Sequence, residues 1–486
     1  MRFSILHLSD LHRDLTDEIP NAWLIDSIER DIETLANEQS SVARPTLCVV
    51  SGDLVYGVRP NSPDADAELK RQNSQSLEFL VELADRLFCS NRDRVVIIPG
   101  NHDVAFNRVT SSSALVPLPS DKAAKADLVR EYFSANTQLR WSWSDLAFYR
   151  IEDHDGYLQR FSYFRDLYEQ FYQGSRIYPV APDSQFDFFD FQVEKLSIVA
   201  LNSCHNNDPW RRAGQINSTA LANACRQLRS PSRAGWLLAA TWHHNLVGGP
   251  SQDDYLDPEF LQLLIESGVS LGLHGHQHRS DWFDERYRLG PKARKLTIVS
   301  AATLCAGPTN LSPGTPRGYN VLEIDNEAWV GRLHQRQMVN LQFSMPAWGP
   351  GRFVDTNESF VDFELAPPVA SRPAGLDMKL ALEAADSYLG RGEWEKALAA
   401  LSEYWSEPLA RRMGLRALEE LDDPGRTINM LDTPSDVAEA VILGSALLIA
   451  GDTISRKRFL ESPFIARNTD ASVTEIVEKL TLRMTR

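Results

Sequence analysis

The stretch RVVIIPGNHDV, Arg94 to Val104, couples a buried strand to a run of ligand-type side chains. Val95 to Ile98 is apolar throughout, the pattern of a strand covered on both faces. Pro99-Gly100 ends it, because proline has no N–H to donate and glycine admits a tight turn. Asn101, His102 and Asp103 then stand at the strand's carboxyl end, where open α/β sheets place their ligand sites. Such a triplet also suits an ordinary turn. The reading therefore depends on whether other strands end alike.

They do. Phe3 to Leu8 reads as a strand and runs into Ser9-Asp10, with His12 just beyond; Asp-x-His on a loop can chelate a metal or decorate a turn. His7, inside that strand, reads as a core residue or a support for the loop. A helix over Trp23 to Asn37 leads to the strand Leu47 to Val50, which ends in Ser51-Gly52-Asp53. Glu68 to Phe88 is the next helical stretch. Leu196 to Leu201 ends in Asn202-Ser203, Trp236 to Trp242 in His243-His244-Asn245, and Val269 to Leu273 in His274-Gly275-His276-Gln277-His278. Strand, ligand-bearing loop and helix in repetition are the grammar of an α/β sheet with its working edge at the strand ends.

In order, Asp10-x-His12, Gly52-Asp53, Gly100-Asn101-His102-Asp103, His243 and Gly275-His276-Gln277-His278 resemble the five signature blocks of the calcineurin-like metallophosphoesterase superfamily. The resemblance covers residues 1 to about 340 and implies an α-β-β-α sandwich, two mixed sheets face to face with helices outside and two metals at one edge. It also implies roles. Asp10, His12 and His278 would hold one ion, Asn101, His243 and His276 the other, and Asp53 would bridge them. His102 would be the catalytic histidine beside the departing oxygen. Asp103 would tune or orient it, or serve only as a turn-stabilising acceptor. Asn245 stands where many relatives carry proline.

Elementary chemistry is consistent with that set. Two divalent ions about 3.5–4 Å apart clamp a phosphate and acidify a shared water, the attacking hydroxide, and a carboxylate is a natural bridge. Histidine, aspartate and amide ligands suit Mn, Fe, Zn, Ni or Co, with Mn expected to support activity, and suit calcium or magnesium poorly.

Outside the blocks, residues from about 104 to 190 form an insertion rich in aromatics, and long insertions tend to be functional. Phe161, Phe164, Tyr168, Phe171 and Tyr172 fall near helical spacing; they form a buried helical face or stack on a nucleobase. Ser111 to Ser120 reads as a loop. His205 is placed to reach substrate, and Arg211 and Arg212 either grip a distal phosphate or form a solvated pair. Residues 1–345 are expected to form the catalytic domain and 346–375 a linker, with APPVASRPAG (Ala366 to Gly375) its clearest part. The remainder, 376–486, reads as a small all-helical domain. Leu380 to Leu401 is similar to one tetratricopeptide unit, with looser copies at Arg411 to Leu431 and Ala438 to Leu460, and a plain helical bundle is the alternative. Helical repeats commonly bind protein partners.

The formal net charge of −16 over 486 residues weighs against a nucleic-acid surface, since phosphate-backbone binding is driven by Lys and Arg. Five scattered cysteines without CxxC spacing fit reduced thiols and a cytoplasmic setting, and no apolar run is long enough to span a membrane. The leading expectation is thus a two-metal phosphodiesterase acting on a nucleotide or other small phosphodiester. A DNA or RNA nuclease of the same superfamily and a partner-binding scaffold working through the helical region are the alternatives. Protein phosphatase activity is disfavoured because Leu54-Val55-Tyr56 stands where such relatives carry arginine.

Overall fold

Two sheets supply the strand ends. In the computed structural model, the seven-stranded sheet runs Trp348–Pro350, Val330–Met338, Gly318–Asp325, Arg2–Leu8, Leu47–Val50, Val95–Ile97, with Phe360–Glu364 also paired to Val330–Met338. The six-stranded sheet runs Asp281–Tyr287, Arg294–Ser300, Val269–His274, Leu237–Thr241, Leu196–Leu201, Phe186–Phe191. The structure describes the chain apart from residues 15–18, 39–41, 61, 135–136, 247–254, 288–293, 308–310, 312–313, 341–345, 354–356, 369–373 and 485–486.

Arg2–Leu8, Leu47–Val50 and Val95–Ile97 are mutually parallel, as are Leu196–Leu201, Leu237–Thr241 and Val269–His274. Parallel pairing puts the carboxyl ends of each trio on one edge. Alternation along the second sheet explains how it is buried on both faces. Ile198, Ala200, Leu237, Ala239, Leu271 and Leu273 join a core with Ile5, Val49 and Val96 of the first sheet. Val199, Leu201, Leu238, Ala240 and Val269 point the other way, under Leu221 and Leu228 of helix Ser218–Leu228 and Leu264 of helix Glu259–Glu266. Helices Asn21–Glu38 and Ala65–Leu87 add Leu24, Ile28, Phe79 and Leu83 to the first core. This is an α/β sandwich of two mixed sheets, followed by a region of many helices.

The insertion carries its own three-stranded sheet, Ser113–Val116, Ala147–Ile151, Leu139–Ser142. Ser113–Val116 therefore corrects the reading of Ser111 to Ser120 as a loop: its partner, with Leu115 opposite Tyr149, lies far along the chain, and nothing local announces it. Phe161, Phe164, Tyr168, Phe171 and Tyr172 are buried on and beside helix Ser162–Phe171, and the Tyr172 hydroxyl donates to the Val95 carbonyl. They are core, not a nucleobase platform.

Residues 346–375, read above as a linker, contribute Trp348–Pro350 and Phe360–Glu364 to the first sheet. Proline and glycine disguise the first of these, and Pro350 is tolerated because the strand lies at the sheet's edge. Much of APPVASRPAG falls on 369–373, outside the described residues. The chain divides into two units, Met1–Arg372 and Pro373–Arg486. Within the second, helices Ala374–Gly390, Trp394–Leu401, Pro408–Leu421, Pro424–Met430, Val437–Ala450, Thr453–Leu460, Pro463–Arg467 and Ala471–Met484 share a core that includes Leu398, Leu418, Leu443, Phe459 and Leu480. Among the described residues no helix is long and apolar enough to cross a membrane.

Candidate metal centre

Five non-glycine residues at the strand ends adopt positive φ: Asp10 (53°), His12 (46°), Asp53 (52°), His276 (74°) and His278 (58°). Side chains rarely take this conformation, and it clusters at functional sites. Backbone bonds over-determine it: Asp10 N–H donates to Gly52 O (3.1 Å), His12 N–H to Asp53 O (3.0 Å) and Gly275 N–H to His243 O (3.1 Å). The loops also approach too closely for side chains to intervene. A Cβ on Gly52, itself at φ +95°, would lie 2.6 Å from His243 Nδ1, and one on Gly100 would collide with Asp53.

The side chains converge in three groups that could each hold a metal ion: Asp10, His12 and His278; His12, Asp53 and His102; Asp53, His243 and His276. His278 Nε2 and His12 Nε2 lie 3.2 and 3.6 Å from Asp10 Oδ1, and the two imidazole nitrogens face each other at 3.2 Å. Asp10 Oδ1 is buried without a well-aligned donor among the described residues. Asp53 Oδ1 accepts from the His102 N–H (2.8 Å), which leaves Oδ2 between His243 Nε2 (3.2 Å) and His12 Nε2 (3.8 Å).

His243 shows what the cluster is suited to. Its Nδ1–H donates to the Ser51 carbonyl (2.8 Å), so in the neutral ring Nε2 carries a lone pair. That lone pair faces Asn101 Oδ1 (3.0 Å), Asp53 Oδ2 (3.2 Å) and His276 Nδ1 (3.3 Å). A buried gathering of acceptors calls for a cation at its centre. With protein charges alone, burial pulls the His243 pKa down, but Asp53 and Asp10 prevail and raise it to about 9. Burial likewise opposes ionisation of Asp10 and Asp53, yet their histidine neighbours hold both carboxyls well below the usual range. The residues present fit divalent metal ions.

Further hydrogen bonds brace the residues around this cluster. Ser203 Oγ accepts from the N–H groups of His243 and His244 (both 3.1 Å) and pairs with His244 Nδ1 (2.9 Å). His7 is buried with Nε2 3.0 Å from Ser51 Oγ, and burial plus His274 pushes its pKa down to about 3. Asp103 spends both oxygens on backbone donors: Leu54 N–H (3.1 and 3.2 Å), Val55 N–H (3.2 Å) and Gly100 N–H (2.7 Å). It ties the Asp53 loop to the Asn101 loop. Burial and the Asp53 charge push Asp103 up to about 7, against the pull of those donors. His102 Nδ1 donates to the Tyr56 carbonyl (2.5 Å), which orients the ring.

A cavity of about 530 Å³ opens onto the cluster, lined by His12, Asp53, Asn101, His102, His276 and His278 together with Tyr56, Arg59, Phe106, Asn207, Asp208 and Arg212. Among the residues expected to touch substrate, Arg212 is on this wall; His205 and Arg211 are not among its described lining. His205 is largely buried, with Nε2 3.3 Å from Asn217 Nδ2, and burial with Arg160 and Arg140 lowers its pKa to about 4. Sequence reasoning missed Tyr56, Arg59, Phe106, Asn207 and Asp208. Proximity to Asp53 and His102 in the chain was the one signal for Tyr56, Arg59 and Phe106; Asn207 and Asp208 had none.

The family model described as calcineurin-like phosphoesterase matches residues 3–280, more than half of the 486-residue chain. The chain belongs to the calcineurin-like phosphoesterase family. Calcineurin-like phosphoesterases typically use two metal ions, and the three groups above are this chain's candidates for holding them. A search of curated proteins finds no match. Among solved structures, the chain is similar to a dimetal phosphatase from Danio rerio (11% identity, 71% of this chain and 98% of that chain covered, TM-score 0.38). It is also similar to the calcineurin-like phosphoesterase YfkN from Bacillus subtilis (10% identity, 85% and 98% covered, TM-score 0.29). A third is GAP50, the anchor in the inner membrane complex of Plasmodium (13% identity, 78% and 94% covered, TM-score 0.35).

Proposed function

We propose that this calcineurin-like phosphoesterase hydrolyses a small phosphodiester, of nucleotide size. The observation that carries this reading is one cavity of about 530 Å³ that has the candidate metal groups on its wall and aromatic side chains, Tyr56 and Phe106, beside them. Such a volume suits a compact ligand. Asp10, His12 and His278 would hold one ion, Asn101, His243 and His276 a second, and Asp53 would be shared, since its Oδ2 faces both sets. Bound there, two divalent ions of the Mn, Fe, Zn, Ni or Co type supply positive charge to the phosphate and acidify water.

The chain's own residues do the rest. His243 is presented to the site by its bond to Ser51, and Asp53 by the His102 N–H. His102, with Nδ1 engaged by Tyr56, keeps Nε2 for the substrate; as imidazolium it donates a proton to the departing oxygen. Asp103 holds the two loops in register. Polymeric nucleic acid is a poorer fit because a chain at −16 has few basic contacts to track a backbone. Turnover by Mn-loaded protein tests the reading with bis(p-nitrophenyl) phosphate, its monoester, linear and cyclic dinucleotides, and single- and double-stranded DNA. Diester and dinucleotide turnover above that of DNA is expected. Robust DNA cutting without turnover of small diesters would replace this reading with a nuclease. A protein partner for the helical unit is a separate proposal, resting on its fold type alone.

A further inference from the structure

The cavity wall opposite in chemistry to the acidic ligand set carries two guanidinium groups, Arg59 and Arg212. Neither has an ion-pair partner among the described residues, whereas most arginines packed near the insertion do: Arg94 with Glu194, Arg108 with Asp66, Arg140 with Asp208, Arg176 with Asp187. The one acid beside Arg212 on the wall is Asp208, and its charge is already spent. Buried Arg140 donates to Asp208 Oδ2, Tyr157 Oη adds a bond at 3.3 Å, and Trp210 N–H takes Oδ1 at 3.0 Å.

The loop that presents Arg212 is held by its own hydrogen bonds and by a ring contact. Asn207 Nδ2 donates to the carbonyls of Arg211 (3.3 Å), Arg212 (2.7 Å) and Ala213 (3.3 Å), and the Trp210 ring stacks on Tyr149 at 4.6 Å. Arg140, Tyr149 and Tyr157 all come from the insertion, so the insertion shapes this wall. Those three carbonyls also fix which end of the Asn207 amide is oxygen. Asn207 is 2% exposed and on the cavity wall, yet its Oδ1 has no hydrogen-bond partner among the described residues.

We infer that Arg59 and Arg212 form a second phosphate subsite, so that the preferred substrate is a small phosphodiester bearing another phosphate. The inference rests on the phosphodiesterase reading above. Under that reading the scissile phosphate's charge is met at the metal groups and His102, and two further guanidiniums, solvent-exposed and without an ion-pair partner among the described residues, fit an additional anion. Arginine's planar fork matches phosphate oxygens in pairs. A preformed loop lowers the ordering cost of using it.

The test compares two compounds with the same scissile bond and leaving group: thymidine 5′-(p-nitrophenyl phosphate) with and without a 3′-phosphate. With Mn-loaded wild type, the 3′-phosphate should lower KM by about tenfold or more, a gain of about 1.4 kcal/mol. In Arg59→Ala and Arg212→Ala the ratio of the two KM values should fall toward one. A general disturbance of the site would raise both KM values together and leave the ratio unchanged. A wild-type ratio near one, or a ratio unchanged in both variants, would overturn the subsite. If neither compound is hydrolysed, the phosphodiesterase reading fails. The dissociation constants of the same two compounds, by calorimetry on wild type and both variants, then decide the subsite by the same ratio.

Discussion

Replacing Asp103 by asparagine separates a structural clamp from a chemical role. The carboxylate accepts from Leu54, Val55 and Gly100, all buried backbone donors. Asparagine keeps one oxygen and turns an NH₂ toward the remaining donors, so at least one N–H is orphaned. A hydrogen bond to a charged group is worth about 1.5–3 kcal/mol, and an orphaned buried donor costs about 1–3 kcal/mol. Relief of repulsion with Asp53, which helps push Asp103 up to about 7, returns part of this. A net loss of about 2–3 kcal/mol is expected for Asp103→Asn. Urea unfolding should be read at about pH 8, where the wild-type carboxylate is ionised, with and without added Mn. Metal content should fall with stability, because the clamp holds Asp53 against Asn101 and His102. If the variant keeps wild-type stability and metal content while turnover drops a hundredfold or more (about 2.7 kcal/mol), Asp103 acts in the chemistry and the clamp argument is wrong.

Other substitutions probe the loops around it. Gly100→Ala would drive a Cβ into Asp53 and should cost about 1–3 kcal/mol together with metal affinity, read by unfolding and Mn titration; a neutral outcome would mean the loops are looser than described. His102→Ala should retain its metals while turnover falls by about 10²–10⁴-fold, and loss of metal would make His102 a ligand instead. His205 tests the electrostatics: its folded pKa of about 4 lies below the unfolded value of 6.5, so its contribution is complete above pH 6.5 and is lost as pH falls toward 4. Integrated to about pH 5, that is about 2 kcal/mol, and the pH dependence of unfolding should flatten by this amount in His205→Gln.

What the chain disclosed of its fold and site follows from where information is stored. Strand cores such as Val95–Ile97 and Leu237–Thr241 are apolar because both faces are buried, and their breaks at Gly52, Gly100 and Gly275 are local events that a sequence displays. The strand ends that carry Asp10, Asp53, Asn101, His243, His276 and His278 were therefore visible in the sequence, and their convergence was expected from the resemblance to the calcineurin-like superfamily. The substrate wall was not. Arg59 and Arg212 line one cavity although they are far apart in the chain, and Arg140 and Tyr157, from the insertion, pin the Asp208 loop some fifty residues or more further on. No periodicity encodes such a contact. The same holds for Ser113–Val116 and for Phe360–Glu364, strands defined by distant partners, and for Asp103, whose role depends on N–H groups of another loop.

The central claim is that Asp53 belongs to a site for two metal ions, and elemental analysis of wild type and Asp53→Asn tests it most directly. Wild-type protein purified without chelator, or reloaded with Mn or Zn, should hold about two divalent ions per chain. Asp53→Asn should hold fewer and lose activity more completely than loss of any single outer ligand, such as His278→Ala. A wild-type content reproducibly near zero, with no uptake of added Mn or Zn, would contradict the account.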